Sequence, residues 1–389
     1  MTEPGMPPLR IKGRALLPVV QGGMGVGVSA HRLSGAVAAC NAVGTIASVD
    51  LRRLHPDLME RTARSRTKDD INAANLEALD REVRQALALA QGRGLIAVNV
   101  MRAVSQYADL VRQACASGAG AIVMGAGLPL DLPELTAGFP QVALIPILSD
   151  VRGISLLLRK WMRRHHLPDA IVIEHPRYAG GHLGASRVED VGDARFDFET
   201  VIPAALELFR ELGIEAERIP LIAAGGVNSY DRVRSLLALG ASGVQVGTAF
   251  AVTQEGDAHP VFKKVLAEAR PEDIVTFMSV AGLPARAVRT PWLAHYLKHF
   301  EEFRERVHRR ARCSLNWDCL LSCGLRDGLP KAGQFCIDLQ LAAALSGDLK
   351  GGLFFRGAEA LPFGDAIRPV RDLIHYLISG EVPPGLHPA

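Results

Sequence analysis

The sequence of 389 residues has no long hydrophobic run. None of its apolar stretches approaches the roughly 18 residues that a transmembrane helix needs. The first residues carry Pro4, Pro7 and Pro8 where a signal peptide would carry an apolar core. We therefore expect a cytoplasmic protein with no membrane partner.

The sequence also has little net charge. Its 44 Lys and Arg residues against 41 Asp and Glu residues give a net charge of +3. A balance of this kind makes no general electrostatic demand for nucleic acid, so we expect no nucleic-acid partner. With 48% hydrophobic and 22% charged residues, the composition favours a folded chain with a sizeable core over a disordered one.

Cysteine is scarce, with six residues, and unevenly placed. Cys40 and Cys115 lie in alanine-rich stretches, which is typical of small buried apolar residues. The other four fall within 24 residues, namely Cys313, Cys319, Cys323 and Cys336. Their irregular spacing favours an iron–sulfur cluster over structural zinc, which usually has two close cysteine pairs. Zinc and unliganded thiols remain alternatives.

A repeating unit runs through residues 16–247. A short apolar, β-branched run ends in a small or polar residue, and a longer amphipathic stretch follows. Eight runs predict strands over 16–21, 43–49, 95–100, 121–125, 142–148, 170–174, 221–224 and 243–247. Helices are predicted over 30–41, 71–91, 105–117, 132–137, 153–165, 198–212, 229–239 and 260–269. Strands this apolar are covered on both faces, so the pattern predicts an α/β fold, the TIM (β/α)8 barrel.

Two segments break the repeat, residues 51–70 and everything after Arg270, and both are expected over the barrel mouth. We divide the chain into a cofactor-binding barrel over 1–290 and a C-terminal helical extension over 291–389 with the four clustered cysteines. Charge runs are most often solvated faces. We expect such a face for Arg52, Arg53, Arg61, Arg64 and Arg66.

One motif favours another fold. The segment from Gly25 through Gly27 to Ala30 follows the first strand and matches G-x-G-x-x-G/A, with Asp50 twenty residues further on. Alone it would indicate a Rossmann domain. The further βα units and the glycines late in the chain favour the barrel, in which such glycines let the backbone lie close to a ring system.

Glycine clusters follow four of the predicted strands, where the active site of a barrel lies. They occur at 21–25, 179–184, 224–227 and 245–248. Glycines after the last two strands expose backbone N–H groups, which predicts a phosphate site and hence a phosphorylated cofactor. His182 is the titratable side chain within one of these loops, and its ordinary pKa suits proton transfer to or from carbon. We predict that His182 is the catalytic residue.

At these positions the chain resembles the FMN-dependent nitronate monooxygenase superfamily, also called 2-nitropropane dioxygenase-like, which includes flavin enoyl-ACP reductases. The resemblance implies that residues 21–25, 146–149 and Asn99 line the flavin ring, and that His182 is the family's catalytic histidine. Gly225, Gly226, Gly247 and Thr248 would hold the FMN phosphate. The full set of implied cofactor contacts is Gln21, Gly22, Gly23, Met24, Asn99, Gly125, Ser149, Gly180, Gly181, Gly184, Ala224, Gly225, Gly226, Gln245, Gly247 and Thr248.

The C-terminal extension resembles one subgroup. Residues 281–287, the four cysteines and residues 352–357 look like the bacterial acyl-ACP dehydrogenase/isomerase of unsaturated fatty acid synthesis, which combines FMN with a 4Fe-4S cluster. The charged stretch 174–178 and the first cysteine gap depart from that subgroup. The resemblance implies that His182 removes the α-proton of an acyl thioester while the β-hydrogen passes to flavin N5. His182 would then move the double bond.

Other functions remain open. The alternatives are oxygen-dependent oxidation of nitronates or nitroalkanes, NAD(P)H-dependent reduction of a quinone or an enoyl thioester, and a non-catalytic phosphate-binding or redox-sensing barrel. The basic residues Arg304, Arg306, Arg309, Arg310 and Arg312 would dock an acidic acyl carrier protein or form a solvated helix face. A homodimer is a further expected partner.

Overall fold

A hairpin that precedes the first barrel strand packs against the barrel interior. The computed structural model describes residues 6–65, 67–306, 313 and 317–386. In it, β1 (Leu9–Ile11) and β2 (Arg14–Leu16) form an antiparallel hairpin. Leu9, Ile11 and Leu16 pack with the side chains that fill the barrel interior.

Eight parallel strands then close into a barrel, which confirms the predicted fold class. They are buried along almost their whole length, as expected for strands covered on both faces. In chain order they are β3 (Val19–Gln21), β4 (Val43–Ala47), β5 (Leu95–Met101), β6 (Ala121–Gly125), β7 (Ala143–Leu148), β8 (Ile171–Glu174), β10 (Leu221–Ala224) and β11 (Gly243–Val246), with β9 (Gly181–His182) outside the barrel. Each barrel strand coincides with a predicted run.

Helices follow the strands on the outer face, and each of the eight predicted ones is confirmed. They are α1 (His31–Ala39), α2 (Pro56–Thr62), α3 (Lys68–Ala90), α4 (Tyr107–Ala116), α5 (Leu132–Leu135), α6 (Val151–Met162), α7 (Phe198–Glu211), α8 (Tyr230–Ala238), α9 (Thr248–Ala251) and α10 (Pro260–Glu268). Side-chain caps fix several starts; the Asp150 carboxylate accepts a hydrogen bond from the Gly153 N–H at 2.7 Å, which begins α6. A short 3-10 helix, Leu51–Leu54, precedes α2.

The rest of the chain forms a second layer with its own apolar cluster. It contains β12 (Ile274–Met278), β13 (Pro284–Val288), α11 (Pro291–Lys298), α12 (Phe300–Glu305), α13 (Gly324–Asp327), α14 (Ile337–Leu345) and α15 (Val370–Ser379). The cluster runs from Val275 to Phe355 in sequence and so crosses residue 290. The division of the chain at residue 290 stays a prediction.

The prediction that the whole C-terminal extension lies over the barrel mouth is wrong for its last helix, α15. Helix α15 packs on α1 and α8, outside the barrel, because Val370, Leu373 and Leu377 form an apolar face that needs cover. The earlier part of the extension does lie over the barrel mouth, where Leu320, Ile337 and Phe355 line the cavity described below.

The predicted solvated face is also partly wrong. Arg61 and Arg64 are exposed, and Arg66 lies outside the described residues. Arg52, in contrast, is buried and Arg53 is half-buried, and both lie beside the buried carboxylate of Asp50, with nitrogen–oxygen distances of 2.8 and 2.5 Å. Arg53 also pairs with Asp338 of α14. Buried charges persist where opposite charges compensate them, and here these pairs tie the extension to the barrel.

In a Rossmann domain, Asp50 would bind the ribose of the dinucleotide. Here the Asp50 carboxylate forms ion pairs with Arg52 and Arg53 instead. The closed barrel excludes the Rossmann alternative. None of the helices in the described ranges combines the length and the apolar composition that a membrane crossing requires.

Candidate active site

A cavity of about 720 Å³ opens at the carboxyl ends of the barrel strands. His182 lines it, as do all the predicted cofactor contacts except Gln21, namely Gly22, Gly23, Met24, Asn99, Gly125, Ser149, Gly180, Gly181, Gly184, Ala224, Gly225, Gly226, Gln245, Gly247 and Thr248. Its volume lies within the range of about 300–1,000 Å³ found for small-molecule sites. One concave site therefore collects the side chains and glycines that the sequence placed at strand ends.

Gln21 is the predicted contact that the structure does not bring to the cavity. Its side chain is fully buried, and its amide group is occupied by the barrel itself. The Gln21 side-chain N–H donates to the carbonyl oxygens of Gly22 and Thr45, and its Oε1 accepts from the Thr45 N–H at 2.8 Å. Gln21 therefore joins β3 to β4.

The glycine loop after β10 fits a phosphate. Gly225 and Gly226 have φ values of +100° and +73°, a left-handed backbone that favours glycine. A Cβ at either position would lie 3.0 Å from atoms of His175 or Tyr178. In the described part of the chain, the main-chain N–H groups of Gly225, Gly226 and Gly247 donate to no protein acceptor. Unpaired N–H groups at the end of a strand suit an anion.

A flat ring also fits the cavity next to this loop. Gly23 allows the β3–α1 loop to lie directly on Asn99, whose side chain a Cβ at Gly23 would overlap. Gly184 likewise lies against Ser149. Both contacts bring main chain rather than side chain to the cavity wall, where a planar cofactor needs room. The donor set and the glycines present therefore fit a phosphorylated flavin.

His182 lines the same cavity, and its ring is shielded from water. Desolvation lowers the pKa of the imidazole to about 4, so the ring is neutral at physiological pH. Among the described residues, the Nε2 atom has no hydrogen-bond partner. The edge of the ring packs against Phe355 with 5.6 Å between centroids. A neutral imidazole with a free nitrogen is suited to act as a base.

The C-terminal layer holds this histidine in place. Strand β9 pairs with β13, with His182 opposite Ala285 and Gly181 opposite Arg286. The Arg286 guanidinium donates to the carbonyl oxygens of Pro176 and Ala179 at 2.9 and 2.5 Å, which fixes the loop before β9. A Cβ at Gly180 would collide with the backbone of residues 356–357. The orientation of His182 thus depends on residues about a hundred positions later.

Glu174 and Tyr178 are among the cavity residues that were not predicted as site residues. Glu174 ends β8 and lines the cavity, and burial raises the pKa of its carboxyl group to about 7, against an opposing effect of Arg286. Tyr178 lines the cavity too. Arg177 does not; it points outward and donates to the Gly192 carbonyl at 2.6 Å. The position of Glu174 at the end of a predicted strand was the signal that could have identified it.

The C-terminal layer also supplies an apolar wall. Leu320, Ile337, Leu341, Ala344 and Phe355 line the cavity from this side. Their contribution was not predicted because periodicity marks them as apolar but does not say which surface they cover. Polar residues of this layer, among them Cys319 and Asp338, line the cavity as well. Asp338 is compensated by its ion pair with Arg53.

The four clustered cysteines share one neighbourhood. Burial raises the pKa of the Cys319 thiol most, and the charges of Asp338 and of the other three thiolates raise it further. Burial raises the pKa of Cys336 to about 11. Within the described residues, however, no three His, Cys, Asp or Glu side chains are arranged to hold a metal ion. The described residues therefore lack a ligand set for a cluster.

The remaining predicted residues have ordinary surroundings. Burial raises the pKa of Cys115 to about 11, as expected of an inert buried thiol, and Cys40 is half-buried. Arg304 pairs with Glu301 at 2.8 Å and Arg306 with Glu302 at 3.6 Å. Arg309, Arg310 and Arg312 lie outside the described residues.

Comparisons with known proteins give the family and the fold. Residues 11–380 match the family model described as nitronate monooxygenase. A probable nitronate monooxygenase of Bacillus subtilis (strain 168) is 29% identical over 290 residues, which are 71% of this chain and 77% of that protein. A protein of Rhodococcus jostii (strain RHA1), named (3aS,4S,5R,7aS)-5-hydroxy-7a-methyl-1-oxo-octahydro-1H-indene-4-carboxyl-CoA dehydrogenase, is 27% identical over 164 residues, 40% of this chain and 41% of that protein. Among solved structures, FabK from Thermotoga maritima superposes with a TM-score of 0.61 at 22% identity, covering 93% of this chain and 91% of that chain, and this likeness concerns the fold.

Proposed function

The chain belongs to the nitronate monooxygenase family, and from this premise we propose that it dehydrogenates a saturated acyl thioester and isomerises the resulting double bond. As a family member it is an FMN-dependent oxidoreductase. An acyl group carried on acyl carrier protein is the substrate that the resemblance of the C-terminal extension implies. The proposal concerns this substrate class.

The residues that would hold FMN are those of the glycine loops. The N–H groups of Gly225, Gly226 and Gly247 would bind the phosphate. The Thr248 hydroxyl accepts a hydrogen bond from the Gly357 N–H at 3.0 Å and would donate its own proton to the phosphate. Asn99 and Ser149 would face the ring. When bound, FMN supplies an acceptor for a hydride equivalent.

The proton chemistry rests on His182. Its neutral imidazole would take the α-proton of the thioester at Nε2, the atom without a protein partner. The β-hydrogen leaves with the electron pair of its C–H bond, and the new double bond forms between Cα and Cβ. Once the imidazolium has released this first proton to water, the same nitrogen would take a proton from Cγ and return it to Cα, which moves the double bond without net oxidation.

The apolar wall is the observation that carries the choice of substrate. A small nitronate needs a flavin and a base, but it leaves a long apolar surface uncovered. The wall of Leu320, Ile337, Leu341 and Ala344 adjoins the same cavity as His182 and offers an acyl chain a place to be buried. The carboxyl-CoA dehydrogenase of Rhodococcus jostii is a relative whose name describes thioester oxidation.

The test is anaerobic mixing of the FMN-loaded enzyme with saturated acyl-ACP thioesters while the flavin absorbance is followed. We expect bleaching and an enoyl product with the wild-type enzyme. His182→Ala should keep its FMN and lose at least about a hundredfold in the rate of bleaching, because it lacks the base. No bleaching by any acyl thioester would refute the proposal, and an active His182→Ala enzyme would refute the assignment of the base.

Nitronate oxidation is the second candidate, favoured by the names of the relatives, among them the Bacillus subtilis protein. It needs the same cavity and base but not the apolar wall. Oxygen-dependent consumption of a small nitronate, with no response to acyl thioesters, would select this function.

A 4Fe-4S cluster on Cys313, Cys319, Cys323 and Cys336 is the finer part of the proposal. Its support is the proximity of the thiols, because the charges of the other three raise the pKa of Cys319; in the described residues the four are not arranged as a ligand set. No step of the reaction is assigned to the cluster. Iron and acid-labile sulfide in anaerobically purified protein are expected at about four per chain. Protein without iron that still oxidises acyl thioesters would remove the cluster and leave the rest of the proposal intact.

A further inference from the structure

Helix α14 turns one face toward the cavity. Ile337, Leu341 and Ala344 follow the spacing i, i+4, i+7, which places them on one side of a helix, and all three line the cavity. Leu339 belongs to another face; it does not line the cavity and is 38% exposed. The helix therefore offers a lining leucine and an outward leucine two residues apart.

The barrel fixes the position of α14. Asp338 pairs with Arg53 beside the 3-10 helix. At the other end of α14, the Leu345 carbonyl accepts from the His259 N–H at 3.0 Å. The Gln340 carbonyl accepts from the Leu353 N–H at 2.9 Å. Because these contacts are all made within the protein, they position the lining face of α14 without a ligand.

The apolar surface continues on both sides of the helix. Leu320 lies beside it, held by a bridge to Val104 and by a 2.9 Å hydrogen bond from the Leu321 N–H to the Ala103 carbonyl. Val49, just after β4, and Met101, the last residue of β5, also line the cavity, and both are half-buried. Half-buried apolar side chains that line a cavity gain from contact with an apolar ligand.

We propose that this part of the cavity is the subsite for the acyl chain and that Leu341 sets the length of chain it accepts. The inference rests on the proposed function. Its ligand class is an unbranched alkyl chain joined to a thioester. Each methylene that enters the subsite should tighten binding about fourfold, and methylenes beyond the subsite should add nothing.

The experiment measures binding rather than turnover. FMN-loaded enzyme is titrated calorimetrically with S-alkyl pantetheine thioethers from butyl to hexadecyl, which lack the thioester's acidic α-proton. In the wild-type enzyme we expect affinity to rise with length and then level off. In Leu341→Trp the affinity should level off at a shorter chain length, and the affinity for the longest chains should fall at least tenfold. In Leu341→Ala the affinity should level off at a longer chain length.

The matched control is Leu339→Trp, which adds the same bulk to the same helix away from the cavity and should keep the wild-type levelling point. A misfolded variant cannot extend the chain length accepted, so Leu341→Ala keeps the test informative. If both Leu341 variants level off where the wild type does, the assignment of Leu341 fails while thioester oxidation stands. If affinity in the wild type does not depend on chain length and acyl-ACP does not bleach the flavin, both proposals fail.

Discussion

At the scale of single residues, the cavity pairs two groups whose pKa values burial moves in opposite directions. Burial lowers the pKa of His182 to about 4, so its imidazole is neutral at physiological pH. Burial raises the pKa of Glu174 to about 7, so its carboxyl group stays neutral to a higher pH than an exposed one. Both shifts disfavour the charged form, as expected for groups taken out of water. The cavity therefore has low charge around His182 and Glu174.

Glu174 allows a direct test of this environment. Its pKa is raised relative to the unfolded chain, so the folded state binds the proton more tightly and loses stability as pH rises from the ordinary Glu value through about 7. Glu174→Gln has no such loss. The melting temperature of Glu174→Gln minus that of the wild type, measured without added substrate, should grow between about pH 5 and about pH 8. A constant difference would show that the carboxyl group is not desolvated.

The residues also show where sequence reasoning succeeds and where it ends. His182 and the glycines after β10 and β11 could be predicted because strand ends define the mouth of a barrel. Gln21 also ends a strand, but its side chain turns inward and joins β3 to β4. Arg53 is half-buried against Asp338, a partner 285 residues away. Long-range pairs of this kind leave no local pattern.

At the scale of elements, α14 is held to the barrel by a buried ion pair. Removing one member of such a pair leaves the other charge uncompensated in the interior. We expect Arg53→Met to lower the free energy of unfolding by about 3 kcal/mol, measured by denaturant titration. Arg53→Met with Asp338→Asn should recover part of this loss, because the second change removes the isolated charge. A double variant less stable than the single one would contradict this account.

Some of the β-strands could be predicted from the sequence and others could not. The eight barrel strands could be predicted because each is an apolar run long enough to be recognised alone. Strand β9 has two residues, and only its pairing with β13 makes it a strand. Nothing in Gly181–His182 itself indicates that partner. The elements that build the barrel were therefore predictable, whereas the element that orients the base was not.

At the scale of the whole molecule, the C-terminal extension covers two separate surfaces of the barrel. Its middle part closes one side of the cavity, and α15 packs on the outer helices α1 and α8. The composition of the extension indicated helices but not this division, because an amphipathic helix specifies that it needs a partner surface without specifying which one.

The outer contact should contribute stability without chemistry. Leu377 on α15 is fully buried, so Leu377→Asp would place a charge in an apolar contact and should lower the melting temperature by about 5 °C or more. Arg371→Asp, on the exposed side of the same helix, should change it little. In both variants the rate per folded molecule should stay near the wild-type value. A folded Leu377→Asp enzyme with lost activity would show that α15 affects the cavity.

The pairing of His182 with Ala285 has a consequence for the chain during its synthesis. When the ribosome has made the eight barrel strands, the glycine loops and the histidine are already present, but β13 has not been made. A nascent chain therefore has the glycine loops of the cavity before it has the strand that orients His182. The pairing of His182 forms only after β13 has emerged, and the Phe355 contact is added later still.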